Sequence, residues 1–162
     1  MIRYAKSTDH AAIADVVSAA FGRGDEAELV ARLREGGDAL FELVAMEDGV
    51  VAGHVLFSRL WVDDTRLYAA LAPLAVAPAR QGSGLGSALV RAGIESARDF
   101  GCHGVLVLGE PAYYGRFGFS AEDAGTVSSP FRGLAAFQAL ALEAGAFAGP
   151  LTAVYPDAFG IS

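Results

Sequence analysis

Three glycines alternate along residues 80–86, which read RQGSGLG. The uncharged stretch YAALAPLAVAPA precedes this segment, and the helical pattern SALVRAGIESARDFG follows it. The start of a helix exposes unpaired backbone N–H groups and the positive end of the helix dipole, and glycine lets an anion approach the backbone closely. The segment is therefore predicted to be an anion cradle, and the alternative is a tight strand-to-helix turn without a ligand.

Two known phosphate-binding motifs fit this spacing badly. A P-loop needs a Lys after its last glycine, and a dinucleotide fingerprint needs the spacing G-x-G-x-x-G. Here Gly82, Gly84 and Gly86 alternate strictly, and no Lys follows them. A nucleotide-binding domain is therefore the weakest of the functions considered.

A second set of residues that could take part in a reaction is the pair of phenols in YYGRFGF, Tyr113 and Tyr114. A phenol has a reference pKa near 10, so it stays protonated at neutral pH and can donate its proton. Adjacent residues of a helix point about 100° apart, so only one of the two is expected to reach a given reacting atom. The alternative is that both rings are half-buried packing residues.

Redox, metal and nucleic-acid chemistry are not expected. The single cysteine, Cys102, cannot form an internal disulfide, and His10, His54 and His103 have no metal-ligand spacing. Cys102 and His103 enter a predicted strand as neighbours and point to opposite faces, so they do not form a nucleophile pair. The net charge of −7 argues against general nucleic-acid binding, which needs clustered Lys and Arg.

The length and composition predict a single α/β (α+β) domain over residues 1–162. Hydrophobic residues make up 53% of the chain and charged residues 19%, which is typical of a compact core rather than of disorder. No uncharged run approaches the roughly 20 apolar residues that span a bilayer, and MIRYAKSTDH has no apolar core typical of a signal peptide. A cytoplasmic location without membrane contact is expected.

The elements that must position these groups follow from periodicity and turn signals. The Asp48-Gly49 dipeptide predicts a hairpin turn, and Gly36 and Gly101 suit helix ends. The helix after the glycine loop is predicted to bury one face, made of Leu85, Ala88, Leu89, Ala92, Ser96 and Phe100. Strands are predicted at IRYAKS, ALFELVAME, VVAGHVLFSRLWV, RLYAALAPLAV, GVLVLGE, FQALAL and GPLTAVYP, and helices around Ile13 to Phe21, at DEAELVARLRE and in PAYYGRFGF, where a short helix leads into a strand. The sum is a central, mostly antiparallel mixed sheet flanked by helices.

The loop resembles the [QR]-x-x-G-x-[GA] acyl-CoA loop of the GNAT superfamily of N-acetyltransferases, with Gln81, Gly84 and Gly86 in its three defining positions. The segments LAPLAVAPARQGSGLGSALV, VLVLGEPAYYGRFGF and GPLTAVYPDAF occur in the order, and at about the spacing, of a bacterial subgroup of predicted N-acetyltransferases. The resemblance covers most of the chain, from IRYAKSTD to YPDAF. It implies a GNAT-like fold and a single N-acetyltransferase domain.

The resemblance also implies acetyl-CoA as co-substrate, no metal, and a small-molecule or peptide amine as acceptor. Neither nucleic acid nor membrane is implied as a partner, and a homodimer is one assembly it allows. In the family, the loop amides bind the coenzyme A pyrophosphate, and the end of the preceding strand pairs with the pantetheine arm. The residues that would bind the coenzyme here are Leu74, Ala75, Val76, Arg80, Gln81, Gly82, Ser83, Gly84, Leu85, Gly86 and Ser87. Because the chain is acidic, attraction is expected from Arg80, the loop N–H groups and the helix dipole at short range.

The family mechanism is direct attack of the amine on the thioester. It implies that the Val76 N–H stabilises the oxyanion and that Tyr114, in the family's Y-x-x-x-G-F arrangement, protonates the departing thiolate, with Tyr113 as its rival. The general base stays open among Glu28, His54, Glu110 and a bound water. The identity of the acceptor and the preferred acyl length also stay open. The alternative function is a non-catalytic acyl-CoA-binding sensor that kept the cradle and lost turnover.

Overall fold

The computed structural model describes residues 1–62 and 65–161. Its helices and strands, in chain order, are β1 (Ile2–Tyr4), α1 (His10–Phe21), α2 (Asp25–Glu35), β2 (Ala39–Glu47), β3 (Val50–Leu60), β4 (Tyr68–Val76), α3 (Leu85–Asp99), β5 (Gly104–Leu108), α4 (Pro111–Gly115), α5 (Ala121–Ala124), β6 (Val127–Ser128), β7 (Phe137–Ala141) and β8 (Leu151–Thr152). Short 3₁₀ turns cover Ser7–Asp9, Pro78–Arg80 and Asp157–Phe159. Among the described residues, no helix is both long and apolar enough to cross a membrane.

One sheet of six strands has the order β1-β2-β3-β4-β5-β7, and β6 and β8 form a separate pair. The pairs β1–β2, β2–β3 and β5–β7 are antiparallel, whereas β4–β5 is parallel. The strands β4 and β5 are parallel because a long crossover connection through α3 separates them, so that β5 runs in the same direction as β4. The expected mixed, mostly antiparallel sheet flanked by helices is confirmed.

The chain forms two compact units. The first contains Met1–Ser58 and Ala72–Glu95, and the second contains the described residues of Arg59–Leu71 and Ser96–Ser162. The borders between the units fall inside β3, β4 and α3. The single domain over residues 1–162 stays a prediction.

The hairpin between β2 and β3 forms where the sequence places it. Asp48 and Gly49 have φ values of +52° and +78°, the left-handed conformation that a tight two-residue hairpin turn requires. In the same unit, α1 and α2 bury Ile13, Val17 and Leu33 completely. The helix predicted around Ile13 to Phe21 is α1, and Phe21 in its last turn is 42% exposed.

The buried face of α3 differs from the predicted one. Leu89 and Ser96 are buried as expected, but Phe100 is 46% exposed, since the helix has already ended at Asp99. The apolar side chains that the prediction missed are Val90, Ile94 and Ala97. The stripe is thus rotated by about one residue, or about 100°. A Cβ at Gly93 would overlap the Phe57 ring, so an aromatic side chain packs against the bare backbone of the helix.

The second unit has its own core around Tyr68, Leu106, Phe137 and Phe147. The strand predicted at FQALAL is β7. The strand predicted at GPLTAVYP is shorter than expected: only Leu151–Thr152 pairs, in parallel with β6, and one further bridge joins Val154 to Trp61. Pro150 and Pro156 bracket this segment and offer no N–H to a ladder, which limits its pairing.

The strand into which the helix of PAYYGRFGF was predicted to lead is also reduced to a single bridge. Ser120 and Ala139 exchange backbone hydrogen bonds of 3.0 and 2.9 Å, and no longer ladder forms there. Gly118 has a φ of +99°, which turns the chain out of the extended conformation just before the bridge. Helix α5 begins directly after it, capped by the Ser120 hydroxyl.

Candidate functional site

The glycine loop connects the end of β4 to the start of α3. Gly84 directly precedes the helix, and its carbonyl accepts a hydrogen bond of 3.0 Å from the Ala88 N–H. Gly82 and Gly84 have φ values of +79° and +90°, and a Cβ at either position would meet no atom within 4 Å. Glycine is therefore required here by the backbone conformation, and the space beside it is open.

The loop presents backbone N–H groups to that open space. In residues 1–62 and 65–161, the N–H groups of Gly82, Ser83 and Gly84 donate no hydrogen bond. The first N–H groups of α3 have no carbonyl one turn earlier to bind, and the helix dipole adds a partial positive charge at the same end. The local geometry is that of an anion-binding site, and the role of Gly82 to Ser87 in binding the coenzyme stays a prediction.

Gln81 and Ser83 hold the loop in shape. The Gln81 side-chain amide donates a hydrogen bond of 3.1 Å to the Val76 carbonyl, and the Ser83 hydroxyl donates to the Arg80 carbonyl. At the strand end, the Ala77 N–H donates to the Ala52 carbonyl of β3 at 2.8 Å. Gln81 thus ties the loop to the last residue of β4, a role that the sequence pattern does not reveal.

Arg80 is already paired by two carboxylates of the β2–β3 hairpin. Its guanidinium donates to Glu47 at 2.7 Å and to Asp48 at 3.1 Å. The positive charge that was expected to attract the coenzyme is therefore largely offset. Attraction of an anion to this loop depends more on the N–H groups and the helix dipole than the sequence suggested.

The first turns of α3 pack closely against the backbone of β3 at Gly53, next to β4. A Cβ at Gly53 would lie 2.9 Å from Leu89 Cδ1 and 3.2 Å from the Ala75 carbonyl oxygen. A glycine in β3 therefore lets the helix that follows the loop sit directly on the strand. The strand residues assigned to the coenzyme are partly accessible: Leu74 and Val76 are half-buried, and Ala75 is buried.

Tyr114 lies in α4, in the second unit, and the residue is 9% exposed. It makes edge-to-face contacts with Tyr113, at 5.0 Å between ring centroids, and with Phe119, at 5.8 Å. A Cβ at Gly109 would overlap the Tyr114 ring, so the glycine after β5 provides the space for it. Phe117 also lies close, at 6.4 Å between ring centroids, so four neighbours define the position of this ring.

Burial raises the pKa of Tyr114 to about 12, and the neighbouring Tyr113 acts in the same direction. The phenol therefore keeps its proton throughout the pH range of ordinary assays. Tyr113 is half-buried, and the Arg116 guanidinium lies 4.8 Å from its ring centre. The two phenols have different surroundings, but the assignment of the acid role to Tyr114 stays a prediction.

Two of the candidate bases have local structural partners. Glu28 forms an exposed ion pair of 2.5 Å with Arg32, one turn further along α2. Glu110 is the N-cap of α4 and accepts a hydrogen bond of 3.3 Å from the Ala112 N–H. The Cys102 thiol is buried, and burial raises its pKa to about 11, so it is not an activated nucleophile.

The third candidate, His54, belongs to a buried network in the first unit. It is 0% exposed, and its Nε2 lies 2.8 Å from Glu42 Oε1. Arg34 of α2 donates two hydrogen bonds of 2.8 Å to the same carboxylate. His54 Nδ1 has no partner among the described residues. Glu42 was not among the predicted site residues, although a carboxylate in the apolar strand ALFELVAME is a signal for a buried partner.

The charges of this network are set by opposing effects. Burial acts to raise the pKa of Glu42, but hydrogen bonds from His54 and Arg34 outweigh it and lower the pKa to about 2. For His54, burial lowers the pKa more than Glu42 raises it, and the positive charge of Arg34 and the nearby His10 add to the lowering. The network therefore contains a carboxylate, a guanidinium and a neutral imidazole at neutral pH.

This network predicts a stability that falls in acid in two steps. Below about pH 6.5 the unfolded chain binds a proton at His54 that the folded chain excludes, so the free energy of unfolding decreases. From about pH 4.5 down to about 2, protonation of Glu42 in the unfolded chain removes about 3 kcal/mol more. Urea unfolding at a series of pH values measures both steps. A free energy of unfolding that stays constant from about pH 7 to about pH 4 would contradict the prediction.

No group of three or more His, Cys, Asp or Glu side chains that could hold a metal ion occurs in residues 1–62 and 65–161. The cradle residues from Leu74 to Ser87 belong to the first unit, and Tyr114 belongs to the second. The contacts given above for each group are therefore contacts within its own unit.

Comparison with known proteins matches the chain to one family. A model of the family "Acetyltransferase (GNAT) family" matches residues 10–119, a range that includes the glycine loop and YYGRFGF. The Escherichia coli (strain K12) protein named "Uncharacterized N-acetyltransferase YjhQ" is 44% identical over 117 residues, which are 69% of this chain and 65% of YjhQ. The protein "Uncharacterized N-acetyltransferase YhbS" of the same organism is 40% identical over 121 residues, covering 74% of this chain and 72% of YhbS.

Two solved structures are similar over nearly the whole chain. The crystal structure of YhbS from Escherichia coli in complex with CoA has a TM-score of 0.91 and 35% identity, and the match covers 99% of this chain and 91% of that one. A GNAT family acetyltransferase from Brucella melitensis, solved in complex with acetyl-CoA, has a TM-score of 0.83 and 34% identity, with coverage of 98% and 97%.

Proposed function

Because the chain belongs to the acetyltransferase (GNAT) family, we propose that it transfers an acetyl group from acetyl-CoA to the nitrogen of an amine. The observation that carries the proposal is the loop from Gly82 to Gly84, whose N–H groups have no partner among the described residues and whose glycines leave open space beside the backbone. The relatives from Escherichia coli and Brucella melitensis, solved with CoA and with acetyl-CoA, support the choice of ligand.

The reaction proceeds by direct attack of the neutral amine on the thioester carbonyl. A C–N bond forms, the carbonyl oxygen becomes an oxyanion in a tetrahedral intermediate, and the C–S bond then breaks to release the thiolate. The Val76 N–H stabilises the oxyanion. The Gln81 bond to the Val76 carbonyl supports this role, because it restrains the peptide at the end of β4.

Three proton transfers accompany the reaction: the incoming ammonium loses one proton before the attack, the attacking nitrogen loses a second as the amide forms, and the thiolate gains one. Tyr114, whose phenol carries its proton at neutral pH, protonates the thiolate, and the second proton from the nitrogen restores the phenol. A bound water removes the proton of the incoming ammonium. Water is favoured as base because Glu28 and Glu110 are engaged in local pairs and His54 is sealed from solvent.

Replacing Gly84 by Val is expected to weaken acetyl-CoA binding by at least about 1 kcal/mol, or roughly fivefold in Kd. The side chain would occupy the open space that the ligand needs, and it would strain a residue whose φ is +90°. Isothermal titration calorimetry measures the change. Gly133→Val is the matched control, because Gly133 has the same φ of +90° and equally open surroundings but lies outside the loop. Equal affinity in a folded Gly84→Val protein would rule out the cradle.

Release of free thiol from acetyl-CoA, measured across a panel of small amines and peptides, tests the activity itself. Turnover with at least one acceptor supports acetyl transfer. Tight binding of acetyl-CoA without turnover on any acceptor would favour the non-catalytic sensor, and a preference for ATP or NAD would favour a nucleotide-binding domain. The amine acceptor, the cytoplasmic location and a homodimeric assembly remain predictions.

A further inference from the structure

The second unit contains a cavity of about 410 Å³ that is lined by none of the residues assigned to acetyl transfer. Its volume lies within the range of roughly 300–1,000 Å³ that is typical of small-molecule sites. Two segments form its walls: one runs from Gly125 through β6 to Arg132, and the other runs from Ala148 through Pro150 to β8. The cavity is therefore built around the parallel pair β6–β8.

Two hydroxyl groups lie side by side in the wall of this cavity. In the β6–β8 pair, Val127 is in register with Leu151, and Ser128 is in register with Thr152. Val127 is completely buried, so the alternation of a strand directs Ser128 to the opposite, open face. Thr152, its registered neighbour, is likewise exposed and lines the cavity. The pair presents two hydroxyls that can each donate a hydrogen bond to one ligand group.

Arg132 is the only charged residue in the lining, whose residues all lie in the described part of the chain. Its Nε donates a hydrogen bond of 3.1 Å to the Gly125 carbonyl, which anchors the guanidinium at the wall. Its two Nη groups make no hydrogen bond or ion pair within the described residues. An anchored guanidinium with free Nη donors is pre-organised for the oxygen atoms of a carboxylate or phosphate.

We propose that this cavity binds a small anionic molecule through a terminal carboxylate or phosphate, held by Arg132 and the hydroxyls of Ser128 and Thr152. No carboxylate lines the cavity, although the protein carries a net charge of −7. Ala148 and Pro150 add an apolar wall for the organic part of the ligand. The proposal does not depend on acetyl transfer, because it uses none of the residues assigned to that reaction.

The test is an NMR titration of ¹⁵N-labelled protein in the presence of excess coenzyme A, so that the glycine loop is occupied. Succinate is the carboxylate probe, inorganic phosphate is the phosphate probe, and succinamide is the neutral control. Succinate or phosphate is expected to shift the amide signals of Gly125, Ser128 and Thr152 saturably, and succinamide is not. The tighter of the two anions identifies the preferred group.

Arg132→Gln is expected to weaken binding at least about 10-fold, which corresponds to about 1.4 kcal/mol. Arg32→Gln removes the same charge from an exposed position on α2 and is expected to leave the affinity unchanged. If Arg132→Gln fails to fold, Ser128→Ala replaces it, with an expected loss of about threefold from one hydrogen bond.

The proposal is overturned if neither anion causes saturable shifts around the cavity, if succinamide binds as well as succinate, or if Arg32→Gln weakens binding as much as Arg132→Gln. Shifts centred on residues 82–86 would also overturn it, because they would place the anion in the glycine loop. If coenzyme A itself fails to bind, the acetyl-transfer proposal fails, and the titration still reports on the cavity by its own signals.

Discussion

Tyr114→Phe is expected to lower turnover roughly 10- to 1,000-fold while leaving the affinity for acetyl-CoA almost unchanged. The substitution keeps the ring and its packing against Tyr113 and Phe119, and it removes only the proton that the thiolate would receive. The range allows for partial rescue by water. Steady-state kinetics with the best acceptor, together with calorimetry for the coenzyme, separates the two effects.

Tyr113→Phe is the matched control, because it removes the neighbouring hydroxyl from the same helix. Its effect on turnover is expected to be much smaller. If Tyr113→Phe lost turnover and Tyr114→Phe did not, the assignment would be wrong by one residue. If neither substitution mattered, water would protonate the thiolate, and the two rings would only serve packing.

Gly109→Ala adds a second, independent test of the same role. The new methyl group would overlap the Tyr114 ring and displace it, while the hydroxyl stays in the protein. Turnover is expected to fall. The double variant with Tyr114→Phe should be no slower than the slower single variant, because both substitutions remove the same contribution, proton donation by Tyr114. Additive losses would show that Gly109 acts on another part of the site.

Glu42→Ala is expected to lower the free energy of unfolding by about 3 kcal/mol. The substitution leaves the buried His54 and the Arg34 guanidinium without their shared carboxylate, and the positive charge stays in a poorly hydrated position. Urea unfolding at neutral pH measures the loss. The acid step assigned to Glu42 should also disappear from the pH dependence of stability.

Glu28→Ala provides the contrast within the same unit. Glu28 and Arg32 form an ion pair whose side chains are both about 60% exposed, at 60% and 61%, and such pairs contribute less than about 1 kcal/mol. If Glu42→Ala cost no more than Glu28→Ala, the buried network would not be a major source of stability. Turnover per folded molecule in Glu42→Gln is expected to keep the parent pH profile, because His54 is not assigned as the base.

The parts of the site that the sequence predicted are those that depend on local backbone conformation. The alternating glycines predicted an open strand-to-helix loop, and Gly82 and Gly84 do adopt left-handed conformations that other residues avoid. Asp48-Gly49 predicted its hairpin turn for the same reason. The resemblance to the family lies in such short motifs, and so the fold and the class of co-substrate could be expected from the sequence.

The tertiary structure decided which side chains meet across long stretches of chain. Arg80, which was expected to attract the coenzyme, is paired with Glu47, 33 residues earlier, and His54, one of the candidate bases, shares Glu42 with Arg34. The cavity beside Arg132 exists only because β6 pairs with β8. The physical reason is that backbone conformation is set by neighbouring residues, whereas the charge, accessibility and chemical role of a side chain are set by whatever the fold packs against it.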